Sequence, residues 1–384
     1  MGMIPRRFGV VLAAVALTVA ISVPVALASR SSDPELDFQV PVQSQITVES
    51  IETQSDLGRL LFFDKRLSGN SATSCSSCHL PDNAWTDGEA LSTGYTSVEY
   101  FRNTPTLLNA SQMALQHWDG RLDGSDMATV VRSHLAEAHF MHMDGRLLTE
   151  RMLEVPLYAE SFERLFGSEV SYGKVLNSLA AFVASLESTD NPYIDFNAGD
   201  ETALTAQEQA GLELFDGKAG CSACHSGDLL SDGERHVIGV APNPDIFSTP
   251  ARHITFRRFF KQFSVGEFAE LRADPGYFAM THDEADRGSF RTPSLLEAGR
   301  TAPYMHNGVM ISLDDVVRFY NDGGGDAFNK DELLQPLNLS EDEIGSLVAF
   351  LRSLASDEPA FDVPTDFPPY ELRDLESGEA QVTN

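Results

Sequence analysis

Two copies of one short motif account for all four cysteines of this chain: Cys75-Ser-Ser-Cys78-His79 and Cys221-Ser-Ala-Cys224-His225. C-x-x-C-H is the attachment motif of c-type haem, in which both thiols bond to the porphyrin and the His ligates the iron. A zinc site made of four cysteines does not explain a His after each second Cys. A two-residue gap closes only a small, strained disulfide ring, which is typical of redox chemistry. The motifs therefore predict two covalently bound haem c groups.

Residues 1–28 have the pattern of a secretory signal peptide. Arg6 and Arg7 precede an apolar run that contains Pro24 and ends in Ala26-Leu27-Ala28. The alternative is a membrane anchor, because the run is nearly long enough to span a bilayer. Pro24 and the small residues at the end favour cleavage near Ala28. We therefore predict a periplasmic protein with no membrane contact after cleavage, which suits the attachment of haem c outside the bacterial cytoplasm.

The formal net charge of −30 limits the partners of the chain. Such acidity argues against binding to nucleic acid and to anionic membrane surfaces. A basic patch on a partner would fit it, although acidic secreted proteins are common.

Similar segments occur in the same order in both halves of the sequence. A helical pattern precedes each pentad, at 58–64 and at 211–216, and the second begins with the helix-capping box Thr205-Ala-Gln-Glu208. Residues 104–110 match 292–298 without a gap. Further on, Trp118 aligns with His306, and residues 129–134 align with 315–320. The common order indicates an internal duplication.

The predicted fold is all-α, with two cytochrome c-like domains that each bind one haem. Strand patterns are sparse, and segments 146–166, 171–187 and 340–355 have the helical period. The length beyond the signal peptide is too great for one core. The predicted organisation is a signal peptide at 1–28, an N-terminal haem domain at 29–200, a C-terminal haem domain at 201–356 and an acidic, Pro-rich tail at 357–384, which is extended on the surface or disordered.

Residues 236–288 have no counterpart in the first half and form a predicted insertion. It carries Arg252, Arg257, Arg258 and Lys261 among aromatic residues, and this stretch is locally basic in an acidic chain. A loop that covers a pocket, a surface that docks a partner and a solvated structural insert all fit this composition.

The motifs supply one axial ligand to each haem iron, His79 and His225, and the opposite axial position decides function. A second protein ligand suits electron transfer, whereas an open position admits peroxide or oxygen. The repeat relates His134 to Tyr320. If Tyr320 faces the second haem, His134 is expected at the corresponding place over the first.

The chain resembles the bacterial di-haem cytochrome c peroxidases and MauG. The resemblance covers essentially the whole mature chain and depends on both pentads and on three further motifs: residues 102–107 (Arg-Asn-Thr-Pro-Thr-Leu), 118–121 (Trp-Asp-Gly-Arg), and 290–295 followed by 301–308. Around residues 130–134 and 257–260, the chain is especially similar to the methanobactin-associated (MbnH-like) enzymes, which convert a partner Trp to kynurenine.

Two departures from the ordinary peroxidases favour the MauG-like branch. The loop 91–100 lacks the His that ligates the first haem in those enzymes, so the resemblance implies that this haem is open. Tyr320, fourteen residues after His306, stands where they carry an axial Met. Tyrosinate stabilises oxidised iron. The alternative is that Tyr320 is a core aromatic residue and that Met305 or Met310 ligates the iron.

The resemblance also assigns roles near the haems. Glu137 matches the family acid/base that moves protons of bound peroxide, and a raised pKa would let it act at neutral pH. His134 is a second acid/base, a weak iron ligand or an ordinary buried His. Trp118 matches the Trp that relays electrons between the haems, and His306 supports the same interface. A calcium ion is expected at the Asn103 side chain and the carbonyls of Thr301 and Pro303.

These features predict a di-haem peroxidase of the MauG-like branch. Hydrogen peroxide would react at the open first haem, and the oxidising equivalents would pass through the His225/Tyr320 haem to a periplasmic protein, modifying a Trp or Tyr side chain. One alternative is a cytochrome c peroxidase that detoxifies peroxide with electrons from a small redox protein. Another is a pure electron carrier, which would gain support if His134 ligates iron.

Overall fold

The computed structural model describes residues 46–95, 98–356, 361–370, 372–373 and 380–381. The predicted signal peptide at 1–28 lies outside these residues. Across the described ranges, no helix is both long enough and apolar enough to cross a membrane.

The described chain is rich in helices, as the all-α prediction requires. Its α-helices are α1 (Gln54–Phe63), α2 (Met127–Ala136), α3 (Gly145–Leu153), α4 (Pro156–Phe166), α5 (Tyr172–Ala184), α6 (Pro192–Asn197), α7 (Ala206–Asp216), α8 (Asp245–Ser248), α9 (Pro250–Gln262), α10 (Phe278–Thr281), α11 (Leu313–Asn321) and α12 (Glu341–Ser353). Short 3-10 helices lie at Val48–Ser50, Lys65–Leu67, Cys75–Ser77, Pro81–Asn83, Ala110–Gln112, Cys221–Ala223 and Glu284–Asp286.

The strands that the structure describes form short antiparallel pairs. They are β1 (Leu115–Gln116) with β2 (Leu122–Asp123), β3 (Arg235–Val237) with β4 (Ser289–Arg291), and β5 (Leu372–Arg373) with β6 (Ala380–Gln381). The β3–β4 pair places Arg235 opposite Arg291 and so closes the ends of the predicted insertion onto each other.

Helix boundaries follow the local signals. Helix α7 begins after Thr205, whose hydroxyl accepts from the Glu208 amide while the Glu208 carboxylate accepts from the Thr205 amide, so the predicted capping box is confirmed. The segment 146–166, for which the helical period was predicted, is helical in the structure and forms two helices. The segment divides into α3 and α4 at Pro156, because proline has no amide hydrogen and its ring clashes with the preceding turn of a helix.

The same close helix crossing occurs in both halves. The first half contains α1–α6 and the second contains α7–α12. A Cβ atom on Gly58 of α1 would lie 1.9 Å from the Ser178 carbonyl oxygen of α5, and one on Gly211 of α7 would lie 2.1 Å from the Ser346 carbonyl oxygen of α12. Only glycine allows backbones to approach so closely. This recurrence supports the predicted duplication, which stays a prediction.

Buried apolar residues form three clusters. One packs α1, α4 and α5 together in the first half, and another packs α7, α11 and α12 together in the second. The third is built around the insertion, where Phe256, Phe259 and Phe260 of α9 pack against Tyr100 and Phe101. The insertion therefore has a core shared with the first half. The domain boundary at 200/201 stays a prediction.

The described part of the tail, 361–370, lies against the first half. The Phe361 ring stacks on Phe63 at 5.8 Å between centroids and meets the Trp85 ring edge-on at 4.9 Å. Asp362 pairs with Arg59 at 2.8 Å. This part of the predicted acidic tail is held by aromatic and ionic contacts.

Candidate haem-binding cavity

Residues of both pentads line one continuous cavity of about 410 Å³. Each motif forms a 3-10 turn, after which the His79 amide donates to the Cys75 carbonyl oxygen at 3.0 Å and the His225 amide donates to the Cys221 carbonyl oxygen at 2.9 Å. This turn directs both cysteines and the following His of each motif to the same space. All four cysteines are free thiols, and burial raises the pKa of Cys75 to about 12.

The two motif histidines have the same hydrogen-bonding arrangement. His79 Nδ1 lies 3.0 Å from the Trp85 carbonyl oxygen, and His225 Nδ1 lies 2.9 Å from the Leu230 carbonyl oxygen. A carbonyl oxygen can only accept, so each Nδ1 carries the hydrogen and each Nε2 keeps a free lone pair. Burial lowers the pKa of both imidazoles, that of His79 to about 4. Both are therefore neutral and have the tautomer that metal ligation requires.

Two further imidazoles line the first-half wall of the cavity. His134 on α2 stacks on His117 with 4.8 Å between centroids and 7° between planes. His134 Nδ1 donates to the Val130 carbonyl oxygen at 3.0 Å, which leaves its Nε2 free as an acceptor. Burial lowers the pKa of His134 below its usual value, so the ring is neutral at pH 7. The structure thus brings His134 to the cavity that holds His79.

Glu137 lies one turn further on, outside the residues that line the cavity. Its Oε2 is 2.8 Å from His139 Nε2 and 3.4 Å from Arg121 Nη2. The expected rise in its pKa is not found. Burial alone would raise the pKa of Glu137, but His139 and Arg121 outweigh burial and lower it. Glu137 is therefore ionised at neutral pH, and its assigned role as the acid/base stays a prediction.

A buried ionic network borders the cavity through Arg102. Arg102 donates to Asp119 at 2.6 Å and to Asp274 at 2.7 Å, and all three side chains are almost fully buried. Burial would lower the pKa of Arg102, but the two carboxylates raise it well above its usual value. Because Asp274 belongs to the insertion, this network fixes the insertion to the first-half wall.

Trp118 lies where the two halves meet in the cavity wall. Its Nε1 donates to the Asn103 carbonyl oxygen at 2.8 Å, and the Arg291 guanidinium carbon lies 5.8 Å from the centre of its ring. Arg291 Nε donates to the His117 carbonyl oxygen at 3.0 Å, and burial lowers the pKa of Arg291 to about 10. His306 also lines the cavity, and its carbonyl oxygen accepts from the Asn103 amide at 2.8 Å.

Tyr320 lines the cavity beside the second pentad. Helix α11 carries it, burial raises the pKa of its phenol well above the usual value, and the Cys221 and Cys224 thiols raise it further. Met305 lines the same cavity, whereas Met310 lies outside the cavity wall. Of the three candidate ligands for the second iron, the geometry therefore favours Tyr320 and Met305.

Several known proteins are similar to this chain over most of its length. The family model for di-haem cytochrome c peroxidases matches residues 52–202. Cytochrome-c peroxidase IdrP2 of Pseudomonas sp. (strain SCT) is 46% identical over 302 residues, covering 79% of this chain and 81% of that protein. MauG of Methylorubrum extorquens is 34% identical over 341 residues, covering 88% and 87%. The chain belongs to the di-haem cytochrome c peroxidase/MauG family.

A solved structure extends the likeness to the fold of this family. The crystal structure of a MauG-like protein associated with microbial copper homeostasis has a TM-score of 0.67 and 28% sequence identity, covering 80% of this chain and 90% of that chain. The fold and the enzyme class, an oxidoreductase of the peroxidase type, are therefore shared with known members.

Membership of this family implies two haems, and the residues on the cavity wall fit them. Four free thiols lie in two identical turns, and two neutral imidazoles each keep Nε2 free. Protoporphyrin is a flat apolar group, which suits a wall made largely of apolar side chains. Covalent attachment to Cys75, Cys78, Cys221 and Cys224 stays a prediction.

The three residues of the predicted calcium site, Asn103, Thr301 and Pro303, all line the cavity. The Asn103 amide Nδ2 donates to the Glu89 carbonyl oxygen at 2.8 Å, which turns its side-chain oxygen away from that contact. Calcium at this position stays a prediction.

Sequence reasoning missed His117 and Arg291. His117 precedes Trp118 directly, but no spacing distinguishes a wall imidazole from one in a surface loop. Its backbone has φ +59°, in the left-handed region that few non-glycine residues adopt. Arg291 lies within the motif 290–295 that carries the family resemblance, and its contact with Trp118 depends on the β3–β4 pair, which short strand patterns do not reveal.

Proposed function

We propose that this chain is a periplasmic di-haem enzyme that uses hydrogen peroxide to oxidise a protein partner, with a Trp side chain as the group that is modified. His79 and His225 would hold the two irons through Nε2, with Tyr320 as the second ligand of the second iron. The haems would supply iron that takes up two oxidising equivalents from peroxide and passes them on.

The observation that carries this proposal is that the two halves present different side chains to the cavity. Helix α2 presents His134, whose free Nε2 can accept or return a proton, whereas helix α11 presents the phenol of Tyr320. A proton carrier suits the side on which peroxide is split, because one peroxide oxygen must lose a proton and the other must gain one. A hard anionic oxygen ligand suits iron that is kept oxidised.

The chain also supplies a connection between the two sides. Trp118 lies in the wall that both halves share, held by its bond to the Asn103 carbonyl oxygen and covered by Arg291. An indole in this position can be oxidised transiently and so relay an electron. The Arg291 cation above the ring disfavours positive charge on the indole, which would keep that oxidised state short-lived.

Intact-protein mass spectrometry of a partner tests the proposal. The oxidised holoprotein is incubated with peroxide and the periplasmic proteins encoded beside it, and the mass of each neighbour is followed. A mass increase at a Trp or Tyr is expected, and it should weaken in Trp118→Phe. His282→Ala is the matched control, because His282 is exposed and lies outside the cavity wall. If no neighbour changes mass while reduced cytochrome c is oxidised rapidly, the proposal fails.

That outcome would favour the second candidate, a peroxidase that removes peroxide with electrons from a small redox protein. The observation in its favour is the name cytochrome-c peroxidase given to the relatives at 46% identity. An electron carrier would instead show two low-spin irons in the ferric EPR spectrum, with no high-spin signal.

A further inference from the structure

Helix α9 is a concentrated basic element in an acidic chain. Its thirteen residues contain Arg252, Arg257, Arg258 and Lys261 and no acidic residue. The whole chain has 57 acidic and 27 basic residues. The local charge of α9 is therefore opposite to that of the protein.

The helix has a buried face and an exposed stripe. Phe256, Phe259 and Phe260 point into the third apolar cluster and are at most 2% exposed. On the other side, exposed residues follow one another at spacings of three and four, which places them on one face of the helix. They are Ala251, Ile254, Arg258 and Lys261, and Ile254 is 52% exposed. The stripe thus has an apolar centre beside two cations.

The positive charge of this surface is not neutralised within the described residues. Arg257, Arg258, Lys261 and nearby Arg272 have no carboxylate partner there, although Arg257 and Arg272 donate to backbone carbonyl oxygens. His253 lies close enough to Arg257 and Arg272 that both of them add to burial in lowering its pKa. Cations without counter-charges are typical of a surface that receives an anionic partner.

The basic surface lies over the cavity. Arg252 donates to the Tyr100 carbonyl oxygen, and the Phe259 ring lies 6.2 Å from the Tyr100 ring. Tyr100 itself lines the cavity. One helix, about 10 Å in diameter, therefore separates the exposed stripe from the side chains that border the cavity.

We propose that the exposed face of α9 is the docking surface for an acidic segment of the protein partner; this rests on the proposed function, which requires such a partner. An anionic bilayer is an extended surface and would be repelled by the net charge of −30. A short acidic segment contacts only the basic stripe. An apolar residue within that segment would cover Ile254, which gives the contact an anchor that salt does not weaken.

Fluorescence anisotropy with a labelled Glu-rich peptide that contains one Trp tests the docking surface, with a Lys-rich peptide of equal length as the comparison. The full-length holoprotein is expected to bind the Glu-rich peptide only, and more weakly as salt rises. Arg258→Glu/Lys261→Glu should weaken binding about tenfold or more. Both side chains make no hydrogen bond in the described structure, so the fold should be retained, which far-UV circular dichroism checks.

The matched control is Lys65→Glu/Arg146→Glu, which changes the net charge equally at exposed positions of the first half. Equal weakening by both doubles, or no binding by the wild type, would overturn the proposal. Three other results would also overturn it. They are peptide binding that appears only after removal of residues 357–384, a dimer of this chain that Arg258→Glu/Lys261→Glu abolishes, and sedimentation of the protein with phosphatidylglycerol vesicles. Peroxide turnover with a small neutral reductant is measured in parallel. A wild-type protein that shows no peroxide turnover would count against the proposed function, whereas peptide binding reports on the docking surface alone.

Discussion

The first half of the molecule places an imidazole, His134 on α2, in the cavity wall, and the second half places a phenol, Tyr320 on α11, in the same wall. Around them the halves repeat the same glycine crossing, the same 3-10 turn at the pentad and the same bond from a motif His to a carbonyl oxygen. The backbone arrangement is thus shared, while the side chain at the equivalent position of one helix differs. Under the proposed function, this difference in one residue type on a common frame would give the two haem sites different chemistry.

The variant with the largest expected effect on this comparison is His134→Ala. Without the proton carrier, the reaction of the as-isolated ferric protein with hydrogen peroxide should slow by roughly 10²- to 10⁴-fold, measured by stopped-flow absorption. The exposed His142 of the same half, changed to Ala, is the control. If the wild-type protein reacts with peroxide only after reduction by one electron, the proposed difference between the sites of the two halves is wrong. A faster reaction in His134→Ala, with loss of a low-spin signal, would instead identify His134 as an iron ligand.

Tyr320→Met should make the second half resemble an ordinary electron-transfer site. Exchange of a phenolate for a thioether should raise the reduction potential of the second haem on the order of 100 mV, within the roughly 0.8 V that axial ligation spans. Potentiometric titration of the haem absorption measures the shift. Tyr304→Phe is the control, because Tyr304 lines the same cavity and donates to the Ala298 carbonyl oxygen. An unchanged potential in Tyr320→Met would transfer the ligand assignment to Met305.

The shared frame is tested by Gly58→Ala and Gly211→Ala. Each added methyl group would meet a carbonyl oxygen at about 2 Å, so each variant should lose about 2 kcal/mol of unfolding free energy. Urea denaturation followed by far-UV circular dichroism measures both. In contrast, Gly173→Ala on α5 has open space and should gain roughly 0.5–1 kcal/mol. Losses that differ widely between the two variants would show that the halves pack differently.

The sequence predicted the parts of this molecule that depend on local patterns. The pentads, the capping box before α7 and the helical period of α5 and α12 each lie within a short stretch, and the structure has helices there. The helical period over 146–166 did not reveal that this segment forms two helices, because the apolar period continues across Pro156, where the backbone cannot continue the helix. The fold class could therefore be predicted from the sequence, whereas the boundary between α3 and α4 could not.

The surroundings of the candidate site were less accessible to sequence reasoning. The pKa of Glu137 depends on Arg121 and His139, which reach it only through the folded loop, so burial alone gave the wrong direction. The buried network of Arg102 depends on Asp274, far away in the chain. The cavity contacts of His117 and Arg291 depend in the same way on long-range packing. Such contacts are created by tertiary structure, and no spacing in a single sequence encodes them.

The contact of Phe361 with Phe63 and Trp85 has a consequence for the order of events during biogenesis. A polypeptide is synthesised from its amino end, so the first pentad leaves the ribosome before Phe361 does. During that interval the aromatic cluster of the first half is open on one side. Both pentads precede Phe361 in the chain, so both predicted haem sites are synthesised before the tail can close over this cluster. Removal of the chain from Phe361 onward would therefore leave the same side of this aromatic cluster open in the folded protein.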